Sequence, residues 1–361
     1  MKIILATGGS GGHIFPALKV AQELKQLGHD ILLVGAFGPS LPKVEQSGFA
    51  FRTLSSKGLK CSSLKGFLES CFLMTRALSE SSRILKSFEP QRVCGFGGYG
   101  AFPVVLMAKV LKYPAMIHEQ NVVPGRANRL LAKWSDKIAI TFPESSNHFD
   151  PAKTVLTGCP CHAQPTPQTP QALRAQQELD PERITILILG GSQGSHCINI
   201  EFMKTIPLLK ARLKFQVIHI SGTKDYEDLR IQYASQGIPF RLFDFFEDMG
   251  AAYQMADVVI ARAGAVTVLE IARFARPSIL IPYPLAGGHQ KENAKILCQK
   301  GFARLVEEND LSPECLERQI RELLNGHSQE QGKNLEEIVI PDSSNRLARE
   351  IISLGTRTVK K

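Results

Sequence analysis

The chain has 361 residues, 43% hydrophobic and 21% charged, with 29 glycines and 21 prolines. That composition excludes disorder, collagen and coiled coil as its main theme, and its length suits two domains of moderate size. The formal charge of +9 is unevenly placed: residues 1–150 hold 18 Lys and Arg against 10 Asp and Glu, while residues 151–361 hold 25 against 24.

A field of that sign attracts nucleic acid, anionic lipid or a phosphorylated substrate. No nucleic-acid-binding signature accompanies it, so nucleic acid is not an expected partner. The longest apolar run, Ala101–Ala108, contains Pro103 and stops at Lys109, well short of the roughly 18 residues of a membrane span. The apolar stretch at Ile3–Ala6 is too short for a secretory signal, so the expectation is a cytosolic protein. Eight cysteines with no Cys-x-x-Cys pair read as reduced thiols. Cys159-Pro160-Cys161-His162 lacks the second cluster that a structural zinc site needs, so no metal is expected.

In chain order, Lys2–Thr7 reads as a short buried strand. Gly8-Gly9-Ser10-Gly11-Gly12-His13 follows it, then a helix pattern from Pro16 to Leu27. Ile31–Val34 is the next strand. Leu64, Phe67, Leu68, Cys71, Phe72 and Thr75 follow helical spacing beside Lys57, Lys60 and Lys65. The first expectation for that stripe is a helix packed on its sheet; the basic flank admits a second, a surface resting on anionic membrane. Arg92–Gly95, Ala115–His118 and Lys137–Ile140 complete the strands of the first half. From Cys159 to Gln171, four prolines among polar residues read as a stiff, extended linker. Beyond it the opening recurs, with the strand Ile184–Leu189, the loop Gly190-Gly191-Ser192-Gln193-Gly194 and a helix from Ile198. Val217–Ile220, Asp257–Ala261 and Ser278–Ile281 are further strands, and Asn345–Leu354 regains a helical rhythm that predicts docking on one domain. Continuous apolar strands alternating with helices predict parallel sheets covered on both faces. The expected fold is therefore α/β, with two Rossmann-like doubly wound parallel-sheet domains facing a cleft.

Glycine loops between a strand's carboxyl end and a helix's amino end let backbone N–H groups approach a phosphate. This sequence has three: Gly8–Gly12, Gly95–Gly100 and Gly190–Gly194, with a fourth helix entry at Arg262–Thr267. The dinucleotide register fails, because Ile14 stands where a third glycine belongs and Val34-Gly35 brings no acidic residue. His13, near a helix start, is either a capping or core histidine or a base kept neutral by the helix's positive end. Thr267-x-x-Glu270 is either a capping box or places a carboxylate one turn into a helix, where it can accept both hydroxyls of a ribose. His118-Glu119-Gln120-Asn121, at a strand's carboxyl end, is either ligand-facing or a solvated turn. The same two readings apply to Gly288–Asn293, whose amide and imidazole groups suit sugar hydroxyls.

Taken together, Gly8–Pro16, Gly97-Gly98-Tyr99, His118–Asn121, Gly190–Gly194 and Arg262–Thr267 resemble the MurG family, in the right order over almost the whole chain. These glycosyltransferases of GT-B architecture add N-acetylglucosamine to undecaprenyl-linked muramyl-pentapeptide in peptidoglycan synthesis. The resemblance implies an inverting transfer from UDP-N-acetylglucosamine to the muramyl 4-hydroxyl, with no cofactor and no required metal. It implies an acceptor domain over residues 1–160, joined by a C-terminal helix at 343–361, and a donor domain over 161–342. His13 is the implied base. Ser10, Gly11, Gly12, Asn121, Ser192, Phe246, Ala265, Val266, Thr267, Glu270 and Gln290 are the implied UDP-N-acetylglucosamine contacts. Gly9, Gly97, Gly98, Tyr99, Gly100 and Glu119 are implied at the acceptor's pyrophosphate. The implied place is the cytoplasmic face of the bacterial inner membrane, peripherally, with an anionic membrane surface and cell-wall synthesis and division proteins as partners. Two positions depart from the family pattern. Gly158-Cys159-Pro160-Cys161-His162 replaces Gly-Asn-Pro-Val-Arg, which removes the arginine near uracil, and Leu269 replaces a small polar residue. A lipid galactosyltransferase, a sugar-nucleotide epimerase and a non-enzymatic membrane scaffold are the alternatives to this reading.

Overall fold

The computed structural model describes residues 1–9, 11–55, 64–161, 163–191, 193–285, 287–326, 335 and 337–355. Ser10, Ser192 and His162 lie outside the described residues, as do Lys57, Lys60 and positions 356–361. The chain forms two compact units, one of Met1–Cys161 with Ile340–Lys361 and the other of His162–Val339.

The first unit is built on seven strands: β1 (Lys2–Gly8), β2 (Asp30–Ala36), β3 (Ala50–Thr53), β4 (Arg92–Gly95), β5 (Ala115–Glu119), β6 (Lys137–Ile140) and β7 (Thr154–Leu156). Their order is β3-β2-β1-β4-β5-β6-β7, and every neighbouring pair runs parallel. Side chains of β1 alternate between two cores: Ile3 and Leu5 join one, Ile4 and Ala6 the other. The order reverses at β1, so the loops after β1 and β4 open at the sheet's switch point.

The second unit repeats the plan with β8 (Ile184–Leu189), β9 (Phe215–Ile220), β10 (Phe240–Phe243), β11 (Val258–Ala261), β12 (Ser278–Leu280) and β13 (Ala303–Leu305). The order is β10-β9-β8-β11-β12-β13, again all parallel. Here the switch point lies between β8 and β11, which feed the third glycine loop and the Arg262–Thr267 turn.

The nine strands expected from the sequence are the interior strands of the two sheets, and β3, β7, β10 and β13 are the four edges. Other expectations need correction. The first helix runs Gly11–Gln26, so it begins inside the glycine loop, and Pro16 lies within it. The proline-rich stretch is shorter than expected: Cys159, Cys161 and Ala163 are buried at its start and a helix begins at Pro170, which leaves the mostly exposed, irregular residues 164–169 as its extended part. In helix Leu64–Phe88 the buried face is Ala77, Ser81 and Leu85, whereas Cys71, Phe72 and Thr75 are exposed. The expected packing of that stripe on its sheet is therefore overturned over its described part. The side chains at 64, 65, 67 and 68 lie outside the described residues.

Helix Ser343–Ser353 returns to the first unit, where Leu347, Ala348 and Ile351 are fully buried in the same core as Ile14, Ala17 and Leu24. Among the described residues, seven cysteines are free thiols and no helix is long and apolar enough to cross a membrane.

Candidate active site

In the first unit, the glycine loops after β1 and β4 lie against each other. Gly98 has φ +75°, and a Cβ there would collide with the Gly8 carbonyl. Only glycine permits that approach. Gly9, at φ +94°, donates its N–H to Ala36 O at 3.0 Å and lies under the Tyr99 ring. Gly97 is the residue before helix Gly98–Val110, and Gly100 is buried close to Thr7 O and Ala36 N. Gly11 and Gly12 form the first turn of helix Gly11–Gln26, with His13 next and half-buried. The His13 ring lies beside Gly97 and Gly98, and its Nδ1 is 3.0 Å from Gln120 Oε1. Half-buried, His13 is not a core residue.

The 118–121 segment is not a solvated turn. His118, Glu119 and Gln120 are all at most 2% exposed. The Glu119 carboxylate accepts from Asn121 N at 2.9 Å and Asn121 Nδ2 at 3.0 Å through one oxygen. Through the other it accepts from Gly125 N at 3.1 Å and Asn128 Nδ2 at 2.9 Å. A carboxylate occupied in this way would repel a pyrophosphate, so its expected contact with the acceptor is corrected: Glu119 positions Asn121 and the 121–128 turn. His118 places Nε2 2.9 Å from Gly158 O. Burial, aided by the neighbouring His13 imidazole, pulls its pKa down to about 4, against the opposing effect of that hydrogen bond.

In the second unit, Gly194 has φ +76°, and a Cβ there would collide with Ser221 O, so the loop after β8 lies flat on residues 221–222. Its N–H closes a turn to Gly191 O at 3.0 Å, and helix His196–Lys210 follows. Helix Ala265–Arg273 begins after Gly264, with buried Ala265 and half-buried Val266 and Thr267 in its first turn. Glu270 lies in the second turn. Its carboxyl accepts from Tyr253 OH at 3.1 Å and from Ala163 N at 3.4 Å, and it does not cap the helix. The capping-box reading of Thr267 and Glu270 is thereby overturned. Burial raises the Glu270 pKa to about 7, with the Tyr253 and Ala163 hydrogen bonds and the Arg273 charge acting the other way.

Phe246 is half-buried, its ring 4.6 Å from that of Phe243. The residues after it, Glu247 to Gly250, line a pocket of about 270 Å³ with Ala163 and Gln164. Gln290 opens helix His289–Gln299, and its Oε1 accepts from Tyr283 N at 2.9 Å. Arg262 donates to Ile281 O and Pro282 O, pairs with Glu308 and lies under the Tyr283 ring, holding the strap that leads to Gln290. Among the described residues no group of three or more His, Cys, Asp or Glu is placed to hold a metal ion.

Sequence reasoning gave no role to Gln120, Asn128, Tyr253 or the Ala163 N–H. Gln120 stands inside a motif that was read, and its polarity in a buried strand end was the available signal. The other three are brought in by tertiary packing, from 9 residues away for Asn128 and 107 for Ala163.

Two family models match the chain, the glycosyltransferase family 28 N-terminal domain over residues 3–140 and its C-terminal domain over residues 185–347. A Geobacter sulfurreducens protein is 34% identical over 363 residues, covering 98% of each chain. One from Thermodesulfovibrio yellowstonii is 38% identical over 337 residues, covering 90% of each. Both are named UDP-N-acetylglucosamine–N-acetylmuramyl-(pentapeptide) pyrophosphoryl-undecaprenol N-acetylglucosamine transferase. The crystal structure of Acinetobacter baumannii MurG superposes with a TM-score of 0.74 at 27% identity, covering 98% of this chain and 99% of that one.

The chain belongs to the MurG family.

A Listeria monocytogenes protein described as a putative UDP-N-acetylglucosamine 2-epimerase has a TM-score of 0.68 at 12% identity, a likeness of fold alone. The MurG resemblance read from the glycine loops thus extends to the whole chain, and the two-sheet fold is the one these glycosyltransferases share.

Proposed function

We propose that this protein transfers N-acetylglucosamine from UDP-N-acetylglucosamine to the muramyl 4-hydroxyl of undecaprenyl-pyrophosphoryl-N-acetylmuramyl-pentapeptide, with inversion. The observation that carries this reading is the near full-length identity of 34–38% to transferases named for that reaction. In the reaction, the 4-hydroxyl oxygen bonds to the sugar's anomeric carbon as the bond from that carbon to the UDP oxygen breaks. The hydroxyl proton passes to His13, and the electron pair leaves on UDP.

Local geometry supports roles for the remaining residues. The second unit takes the donor: Glu270 accepts the ribose hydroxyls, Phe246 faces uracil and Gln290 meets the sugar. The turns at Gly190–Gly194 and Ala265–Thr267 offer N–H groups and two helix starts to the diphosphate. That preorganised positive potential stabilises the departing UDP. The first unit takes the acceptor, with its pyrophosphate on the glycine turns at 9–12 and 97–100, while the Glu119 carboxylate fixes the Asn121 side chain, the first unit's contact to the donor on this reading.

The first unit also rests, on this reading, on an anionic membrane surface. Supporting this are the charge excess of residues 1–150 and the outward apolar side chains Phe72, Val110 and Trp134, which are 66%, 63% and 46% exposed. Flotation with vesicles should require anionic lipid; flotation indifferent to lipid charge overturns the membrane reading.

The deciding experiment uses the purified full chain with UDP-[14C]N-acetylglucosamine, with and without a chelator. Label should appear in the muramyl-lipid in both conditions. Label in diacylglycerol, or only in free sugar, overturns the reading.

A further inference from the structure

Two backbone carbonyls of the first unit fix the direction of every proton between them and His13. His118 Nε2 lies 2.9 Å from Gly158 O. A carbonyl only accepts, so this nitrogen carries the hydrogen and Nδ1 is bare. Gln120 Nε2 lies 2.9 Å from Phe96 O and 3.1 Å from His118 Nδ1. Both are acceptors, so both amide hydrogens are spent on them. Turning the amide over would set its oxygen against the Phe96 carbonyl and the bare imidazole nitrogen, which excludes that orientation. Gln120 Oε1 therefore faces His13 Nδ1, at 3.0 Å, and must receive a hydrogen from it.

We propose that Gln120 is a positioning residue that holds His13 in its Nδ1–H tautomer, making Nε2 the ring nitrogen that can take a proton. This rests on the reading of His13 as the base. Gln120 is 2% exposed and His118 fully buried, so bulk water does not compete for these hydrogen bonds. His118, with its pKa near 4, stays neutral and keeps presenting a bare Nδ1 to Gln120. The second tautomer of His13 would put a lone pair against Oε1 and a hydrogen on Nε2, and an Nε2–H cannot accept the hydroxyl proton.

The test reads the tautomer directly. Two-bond 1H–15N spectra of histidine-labelled full-length protein at about pH 8.5, where a free imidazole is neutral, should show His13 protonated at Nδ1 and His118 at Nε2. A His13 signal from the Nε2–H form overturns the proposal, whatever any variant does. Gln120→Met should populate the Nε2–H form and lower kcat roughly tenfold or more, with KM for UDP-N-acetylglucosamine within about twofold. A tautomer shift with unchanged kcat also overturns it. If His13→Ala keeps its turnover while the wild-type tautomer is as stated, the base assignment has failed, and the hydrogen-bond geometry has not.

Discussion

The hydroxyl of Tyr253 donates to Glu270 Oε2 at 3.1 Å, and the Ala163 N–H donates to the other oxygen of that carboxyl at 3.4 Å. No cation lies within ion-pair distance of this carboxyl among the described residues. Burial therefore dominates and sets its pKa near 7.

An acid whose pKa is raised by folding holds its proton more tightly in the native chain than in the unfolded one. Between its ordinary value of 4.5 and about 7, stability should therefore fall as pH rises, by at most on the order of 3 kcal/mol. Glu270→Gln should remove that slope. In the wild type, UDP affinity should weaken by about tenfold per unit as pH drops below 7, since only the carboxylate accepts both ribose hydroxyls. Calorimetric titrations that show the same UDP affinity at pH 5.5 and 8 would contradict the ribose role.

Removing the imidazole with His13→Ala should lower kcat by about 10²–10⁴-fold, the usual span for a general base. UDP affinity should change far less, because on the proposed reading the imidazole takes the acceptor's proton and holds no part of the nucleotide. Turnover within a few-fold of the parent removes His13 from the base role.

Glu119→Gln keeps the shape of the side chain but sets an amide nitrogen against N–H groups that now point at an oxygen. Four donors converge on this buried carboxylate, so the substitution should cost about 3 kcal/mol in urea unfolding. A loss below about 1 kcal/mol would show that the 121–128 turn holds itself.

Gly191 and Gly194 share a left-handed backbone, with φ +85° and +76°, but differ in surroundings. A Cβ at 191 meets nothing within 4 Å, whereas one at 194 strikes Ser221 O. Gly191→Ala should therefore cost only the backbone term, about 1–2 kcal/mol. Gly194→Ala should cost more in the same melt and lower UDP affinity roughly tenfold or more, because the loop must lift off residues 221–222. Equal effects at both positions would contradict the flat-loop geometry.

What the sequence disclosed about the fold follows from burial. Every interior strand is covered on both faces and reads as an apolar run, as Ile184–Leu189 does. Edge strands such as Phe240–Phe243 are half-exposed along their length and mix charge with apolar residues, so their pattern merges with that of loops. The same logic divides the site. Glycine turns are legible because backbone demands select the residue type locally. The Glu270 environment was not, because Tyr253 and Ala163 reach it through packing that no short-range spacing encodes. Glu119 misled for a related reason: a carboxylate that neutralises its own turn looks, in sequence, like one that awaits a ligand.

Helix Ser343–Ser353 supplies Leu347, Ala348 and Ile351 to a core that otherwise comes from the first half of the chain. A ribosome must therefore translate through the second unit and on past residue 351 before that core can close. During synthesis the second unit can mature while Ile14, Ala17 and Leu24 still lack their cover, and a premature stop ahead of residue 347 would strip that cover from a unit whose first strands were already made.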